Sequence, residues 1–112
     1  FWGRRRYLPA LSVANSEEEW YETAKQAYSH RIQGTAADIS KVALVVIDHL
    51  APGDLVCAIH DERLLETELT TEEIYGIIES TIAEIRKFPL PHSDLLGMTL
   101  KAGADWGRME EV

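Results

Sequence analysis

An α+β fold, with helices laid against a small antiparallel sheet, follows from three features of this 112-residue sequence. Apolar residues recur at helical spacing in three stretches. Two short apolar runs flank a polar tripeptide, His60-Asp61-Glu62, in the manner of a hairpin. Two Ser/Thr-x-x-Glu sequences stand directly ahead of helical stripes, where capping boxes belong.

Residues 1–8 are extended in character, and Pro9 ends the run. Ser16-x-x-Glu19 opens a helix, and Glu17, Glu18 and Glu19 suit the positive end of its dipole. Trp20, Ala24, Ala27 and Tyr28 form an apolar stripe expected to face a core. Residues 29–34 interrupt that pattern. A second helix is expected from about Thr35 to Leu50, with Ile39, Ala43, Val46, Ile47 and Leu50 on one face, widened by Val42 and Leu44. That width makes it the most buried helix on sequence grounds. Pro52-Gly53 ends it. Asp54–Ile59 and Arg63–Thr67 read as the two hairpin strands. Thr70-x-x-Glu73 caps a third helix, whose stripe of Ile74, Ile77, Ile78, Ile82 and Ile85 runs through to Arg86. Pro89 and Pro91 make a loop holding His92. Alternating Leu96, Met98 and Leu100 predict a last strand at 95–101, and Trp106 reads as a packing anchor. The order is strand, helix, helix, hairpin, helix, strand, in one domain over 1–112, with about three helices on the sheet.

The net charge is −8 and 46% of residues are hydrophobic. The length suits one core and is short for two. The acidic balance argues against a plain nucleic-acid-binding domain. Charge is uneven, however: +3 over 1–15, all from Arg4, Arg5 and Arg6, then −3 over 16–53, −8 over 54–85 and zero over 86–112. The only basic cluster and the acidic excess therefore lie far apart in sequence. No apolar run has membrane-spanning length and no signal peptide is present, so no membrane partner is expected. The lone Cys57 has no partner for an internal disulfide and points to a reduced, intracellular setting. A chain that starts at Phe1 in strand-like sequence reads as a piece of something larger.

The tripeptide His60-Asp61-Glu62 sets two carboxylates between strands that favour burial. Such charges are costly unless a donor or cation compensates them, and a divalent metal is the usual cation. On the tripeptide alone, solvated hairpin chemistry is the commoner explanation. The arginines at 4–6 read equally as a phosphate grip or as a charged edge strand that discourages pairing. Gln33, taken alone, reads as a turn or capping residue.

Three stretches together change the weighting. Arg31-Ile32-Gln33-Gly34-Thr35-Ala36-Ala37-Asp38-Ile39 resembles the PIQGTAADI segment of family A DNA polymerases, the bacterial polymerase I type and its phage relatives. Ile59-His60-Asp61-Glu62 resembles their motif C, VHDE. Gly3-Arg4-Arg5-Arg6-Tyr7-Leu8-Pro9 resembles their GRRRYLP stretch. The three occur in the family's order, with Asp61 placed 23 residues after Asp38. Met98 to Trp106 also resembles the family's last strand and terminal tryptophan.

The resemblance implies the C-terminal part of a polymerase palm, in which the motif C hairpin belongs to the small sheet. Its cofactor would be Mg²⁺, in a two-ion site of the complete enzyme. It implies Asp61 as a metal ligand and Glu62 as the second carboxylate, both catalytic. His60 would approach the primer 3′ end, and Gln33 would touch the minor-groove side of the terminal base pair. Arg4, Arg5 and Arg6 would lie along the nucleic-acid backbone, with Lys25 and Arg31 as further contacts. The implied partners are primer-template DNA, deoxynucleoside triphosphates and an N-terminal polymerase segment or subunit. The implied compartment is the cytoplasm of a bacterial or phage-infected cell, or an organelle. The chemistry is compatible: nucleotidyl transfer needs an activated 3′-hydroxyl and a stabilised leaving pyrophosphate, which two Mg²⁺ ions about 4 Å apart supply.

Four positions depart from the family pattern. Arg31 replaces the expected proline, Ser29 stands where asparagine is usual, and Lys25 stands near a usual arginine. Arg63 follows the acidic pair where leucine is common, and would ion-pair with Asp61 and Glu62 in competition with metal. The family's other metal aspartate and its fingers helix lie ahead of this stretch, so the chain alone is expected to be inactive. A non-catalytic palm remnant that binds nucleic acid or a protein remains the alternative. Unpaired sheet edges and exposed apolar surface also predict self-association.

Overall fold

A computed structural model of the chain describes Gly3, residues 5–90 and residues 92–112; of Ala10 it describes only the backbone. In chain order the elements are α1 (Ala10–Val13), α2 (Glu17–Leu50), β1 (Leu55–Ile59), β2 (Glu62–Leu65), α3 (Thr71–Arg86), β3 (Lys101–Ala102) and β4 (Glu110–Glu111). Single 3₁₀ turns occupy Ser93–Leu95 and Trp106–Arg108. The sheets are two antiparallel pairs, β1 with β2 and β3 with β4. The α+β class expected from the sequence is therefore what the chain adopts, as a partial palm would. The residues group into two compact units, Phe1–Ile39 and Ser40–Val112.

Helix α2 begins where the sequence places it. The Glu19 amide donates to Ser16 Oγ at 3.1 Å. The returning carboxylate of Glu19 accepts from the Asn15 amide at 3.0 Å rather than from Ser16, one residue earlier than the simplest capping box. The expected break at 29–34 does not occur: α2 is one helix of 34 residues. With arginine at 31, every residue there keeps an amide proton for the helical ladder. The glycine at 34 costs only about 1 kcal/mol relative to alanine, whereas a proline would cost about 3 kcal/mol.

In the first unit the expected core stripe is largely on the surface. Trp20 is 52% and Tyr28 71% exposed. Buried instead are Thr23, whose hydroxyl donates to the Glu19 carbonyl at 2.8 Å, and Gly34. Helical spacing correctly groups the apolar side chains on a face. It carries no information on whether anything covers that face. Of the proposed strand at 1–8, residues 1, 2 and 4 lie outside the described part, and Gly3 and 5–8 are not in a strand.

The second unit holds most of the core. Ala43, Ile47 and Ala51 at the end of α2, and Ile74, Thr81 and Ile85 on α3, are buried. Leu50, expected on the same face, is 42% exposed. The α3 stripe matches the isoleucine spacing, with Ile77, Ile78 and Ile82 half-buried. The Thr70 hydroxyl accepts from the Glu73 amide at 3.3 Å, and the Glu73 carboxylate accepts from the Thr70 amide at 2.8 Å, closing the box in both directions. Gly53, at φ +88°, supplies the left-handed residue in the turn between α2 and β1.

Two corrections fall near the C-terminus. Leu96, Met98 and Leu100 do alternate with exposed neighbours, but residues 96–100 form no ladder and the strand is confined to Lys101–Ala102. Alternation reports an extended backbone with one shielded face, while a strand also needs a partner, and among the described residues only Lys101 and Ala102 find one, in Glu111 and Glu110. Trp106 is 58% exposed and does not act as a packing anchor here.

Candidate metal-binding hairpin

The hairpin that carries the acidic pair is shorter than the sequence suggests. Its second strand is Glu62–Leu65, rather than Arg63–Thr67. Ile59 faces Glu62 across the ladder, so the connection is the two-residue loop His60-Asp61. A loop of that length matches the right-handed twist of its strands when its first residue has positive φ, and His60 has φ 52°. A register shift between Leu55 and Cys57 leaves Val56 as a bulge, a device that bends a strand and re-aims the residues beyond it. Leu55, Cys57 and Ile59 are half-buried while Val56 and Ala58 are exposed, so one face of the strand is shielded.

This geometry lifts His60, Asp61 and Glu62 into solvent; all three are exposed. Among the described residues, neither carboxylate takes part in an ion pair. The expected pairing of Arg63 with them is thus corrected. The half-buried guanidinium turns to backbone oxygens instead: Nη1 donates to the carbonyls of Glu62 at 2.6 Å and His60 at 3.4 Å. Nη2 donates to the Ser40 carbonyl at 2.7 Å and to Ser40 Oγ. The arginine's fork satisfies carbonyls on either side of Asp61 and leaves the carboxylate oxygens free. Nothing in the sequence pointed to Ser40, since a serine in mid-helix normally bonds within its own helix.

Two adjacent, uncompensated carboxylates offer the hard oxygen donors that Mg²⁺ selects. Their number falls short of a closed site: among the described residues no group of three or more His, Cys, Asp or Glu side chains converges on a metal position. The donor chemistry fits a cation that keeps several waters and draws further ligands from elsewhere.

The other residues singled out from the sequence lie in the first unit. Gln33, Arg31, Lys25, Arg5 and Arg6 are exposed, and Arg4 lies outside the described residues. The Lys25 ammonium pairs with Glu22 at 2.7 Å and sits 4.6 Å from the centre of the Tyr21 ring. Arg6 donates to the Gln26 side chain at 3.3 Å. The Arg31 carbonyl accepts from the Thr35 hydroxyl at 2.8 Å. The described structure thus brings together His60, Asp61, Glu62, Arg63 and Ser40 in one unit and places Gln33 and the basic residues in the other.

Comparison with known proteins finds matches along nearly the whole chain. The family model for DNA polymerase family A matches residues 1–108. DNA polymerase I of Deinococcus radiodurans is 32% identical over 109 residues, covering 94% of this chain and 11% of that protein. DNA polymerase I, thermostable, of Thermus filiformis is 34% identical over 109 residues, covering 93% of the chain and 12% of that protein. DNA polymerase theta of Drosophila melanogaster is 32% identical over 123 residues, covering 98% of the chain and 6% of that protein. The chain therefore spans about a tenth, or less, of these relatives. No solved structure gives a significant match.

Proposed function

Since the chain belongs to DNA polymerase family A, we propose that it is part of a DNA-directed DNA polymerase and contributes carboxylates of the metal site. The single observation that supports this most is the exposed, unpaired Asp61-Glu62 at the end of a bulged hairpin. Asp61 would hold Mg²⁺, and Glu62 would shape the site from beside it. Bound magnesium would activate the primer 3′-hydroxyl and neutralise charge on the leaving pyrophosphate. The strands on both sides hold the backbone of the loop, so the Asp61 carboxylate needs little reorganisation to receive a cation. His60, first in the loop, is exposed toward solvent and can meet the primer terminus. Gln33 has a neutral amide donor for minor-groove acceptors, which vary little with base sequence. Arg5, Arg6, Lys25 and Arg31 are exposed cations suited to phosphate contacts, and Arg4 belongs to the same run.

The reaction class is template-directed transfer of deoxynucleotides to a primer, in the cytoplasm. Among the described residues no third ligand joins the two carboxylates, and a two-metal site needs more, so the 112-residue chain is expected to be inactive until joined to segments that complete the site. Both hairpin edges lack further strands among the described residues, which supports self-association of the isolated chain. Sedimentation of a strict monomer at high concentration would count against that.

Primer extension is the test. The chain alone is expected to add no nucleotide. The chain joined to palm and fingers segments of a family A relative is expected to extend a primer in a Mg²⁺-dependent way. Extension by the chain alone, or none by the joined protein, overturns the proposal.

A further inference from the structure

We infer that Arg63 is a positioning residue for the acidic loop: it clamps the hairpin to α2 at Ser40 and keeps its own cation away from Asp61 and Glu62. This rests on the proposed role of the loop in holding a divalent cation. Arg63 stands directly after the acidic pair, where an ordinary surface arginine would be drawn to the carboxylates. Its bonds go elsewhere: to the carbonyls of His60 and Glu62, which bracket Asp61, and to the carbonyl and hydroxyl of Ser40. One planar group thereby ties the carbonyls on either side of Asp61 to a helix. Its Nε is buried without a hydrogen-bond partner among the described residues, so Nη1 and Nη2 carry the whole clamp.

A guanidinium spans such a set of acceptors because its donors are fixed in a fork; an ammonium is a point charge and cannot reach both sides at once. Lysine at 63 would keep the charge and lose the clamp, while methionine would lose both. The two substitutions therefore separate geometry from charge. If the charge mattered alone, removing it would strengthen cation binding at the loop. If the clamp matters, both variants weaken it, by about tenfold as for other groups that orient metal ligands.

The experiment is titration of the ¹⁵N-labelled 112-residue chain with Mn²⁺, tracking paramagnetic broadening of the amides at 59–63. In the unmodified chain, broadening should centre on the loop, and Asp61→Asn should remove it. Arg63→Lys and Arg63→Met should each need about tenfold more Mn²⁺ for the same broadening, with Ile74 and Ile85 amide shifts unchanged. Ser40→Ala should move in the same direction by less. Unaltered Mn²⁺ affinity in Arg63→Lys, or tighter binding in Arg63→Met, overturns the positioning role while the loop's metal role stands. Broadening that ignores Asp61→Asn overturns the metal role and the clamp's purpose with it.

Discussion

The family match runs through both units, yet the two bury very different surfaces. In Phe1–Ile39, helical periodicity is clear, yet Trp20, Tyr21, Tyr28 and Ile32 are exposed. In Ser40–Val112, the same kind of periodicity puts Ile85 at 2% and Thr81 at 0% exposure. The difference teaches that an amphipathic stripe is a statement about a face. Its burial depends on a second surface that the stripe itself does not specify. In the second unit that surface is supplied within the unit itself, where residues at the end of α2 and on α3 are both buried. In the first, the described residues supply little of it.

The contrast predicts where substitutions hurt. The largest loss should come from Ile85→Ala, at about 2–5 kcal/mol for a cavity in the core, read by urea unfolding. If it costs no more than an exposed substitution, the second unit has no real core. Arg31→Pro should come next, at about 3 kcal/mol of local helix stability. It should divide α2 and lower the helical circular dichroism signal; an unchanged signal would mean the helix is already broken there in solution.

Thr70→Ala should cost about 1 kcal/mol through the lost cap. Acid should weaken the same cap. Backbone and side-chain hydrogen bonds from Thr70 hold the Glu73 carboxyl below its ordinary value of 4.5. Because the folded value is the lower one, the contribution is present above the unfolded glutamate range and disappears as pH falls through the folded value. Glu73→Gln should flatten that part of the stability–pH curve. Smallest of all, Tyr28→Gln should change stability by less than about 0.5 kcal/mol. A loss of several times that would show that its face is covered in solution and that the contrast between the units is false.

Legibility in the sequence tracks the range of each interaction. The α3 cap and stripe are readable because i, i+3 and i, i+4 relations decide them. The hairpin is readable because His60-Asp61-Glu62 sharply interrupts an apolar run, though its second strand is shorter than its composition suggests. The continuity of α2 escapes the apolar pattern, although Arg31 in place of a proline is its visible signal. The 95–101 stretch misleads because alternation does not name a pairing partner. Of the site, Asp61 and Glu62 stand out by their chemistry and by resemblance. The Arg63–Ser40 clamp joins positions 23 residues apart, and no local pattern announces it.

The central claim is that the Asp61 carboxylate serves nucleotide transfer. Primer extension by the chain joined to the completing segments of a family A polymerase, with and without Asp61→Asn, tests it most directly. Extension should fall to background in Asp61→Asn and stay at full rate in an exposed control, Lys101→Gln. Extension by Asp61→Asn at the unmodified rate would contradict the account.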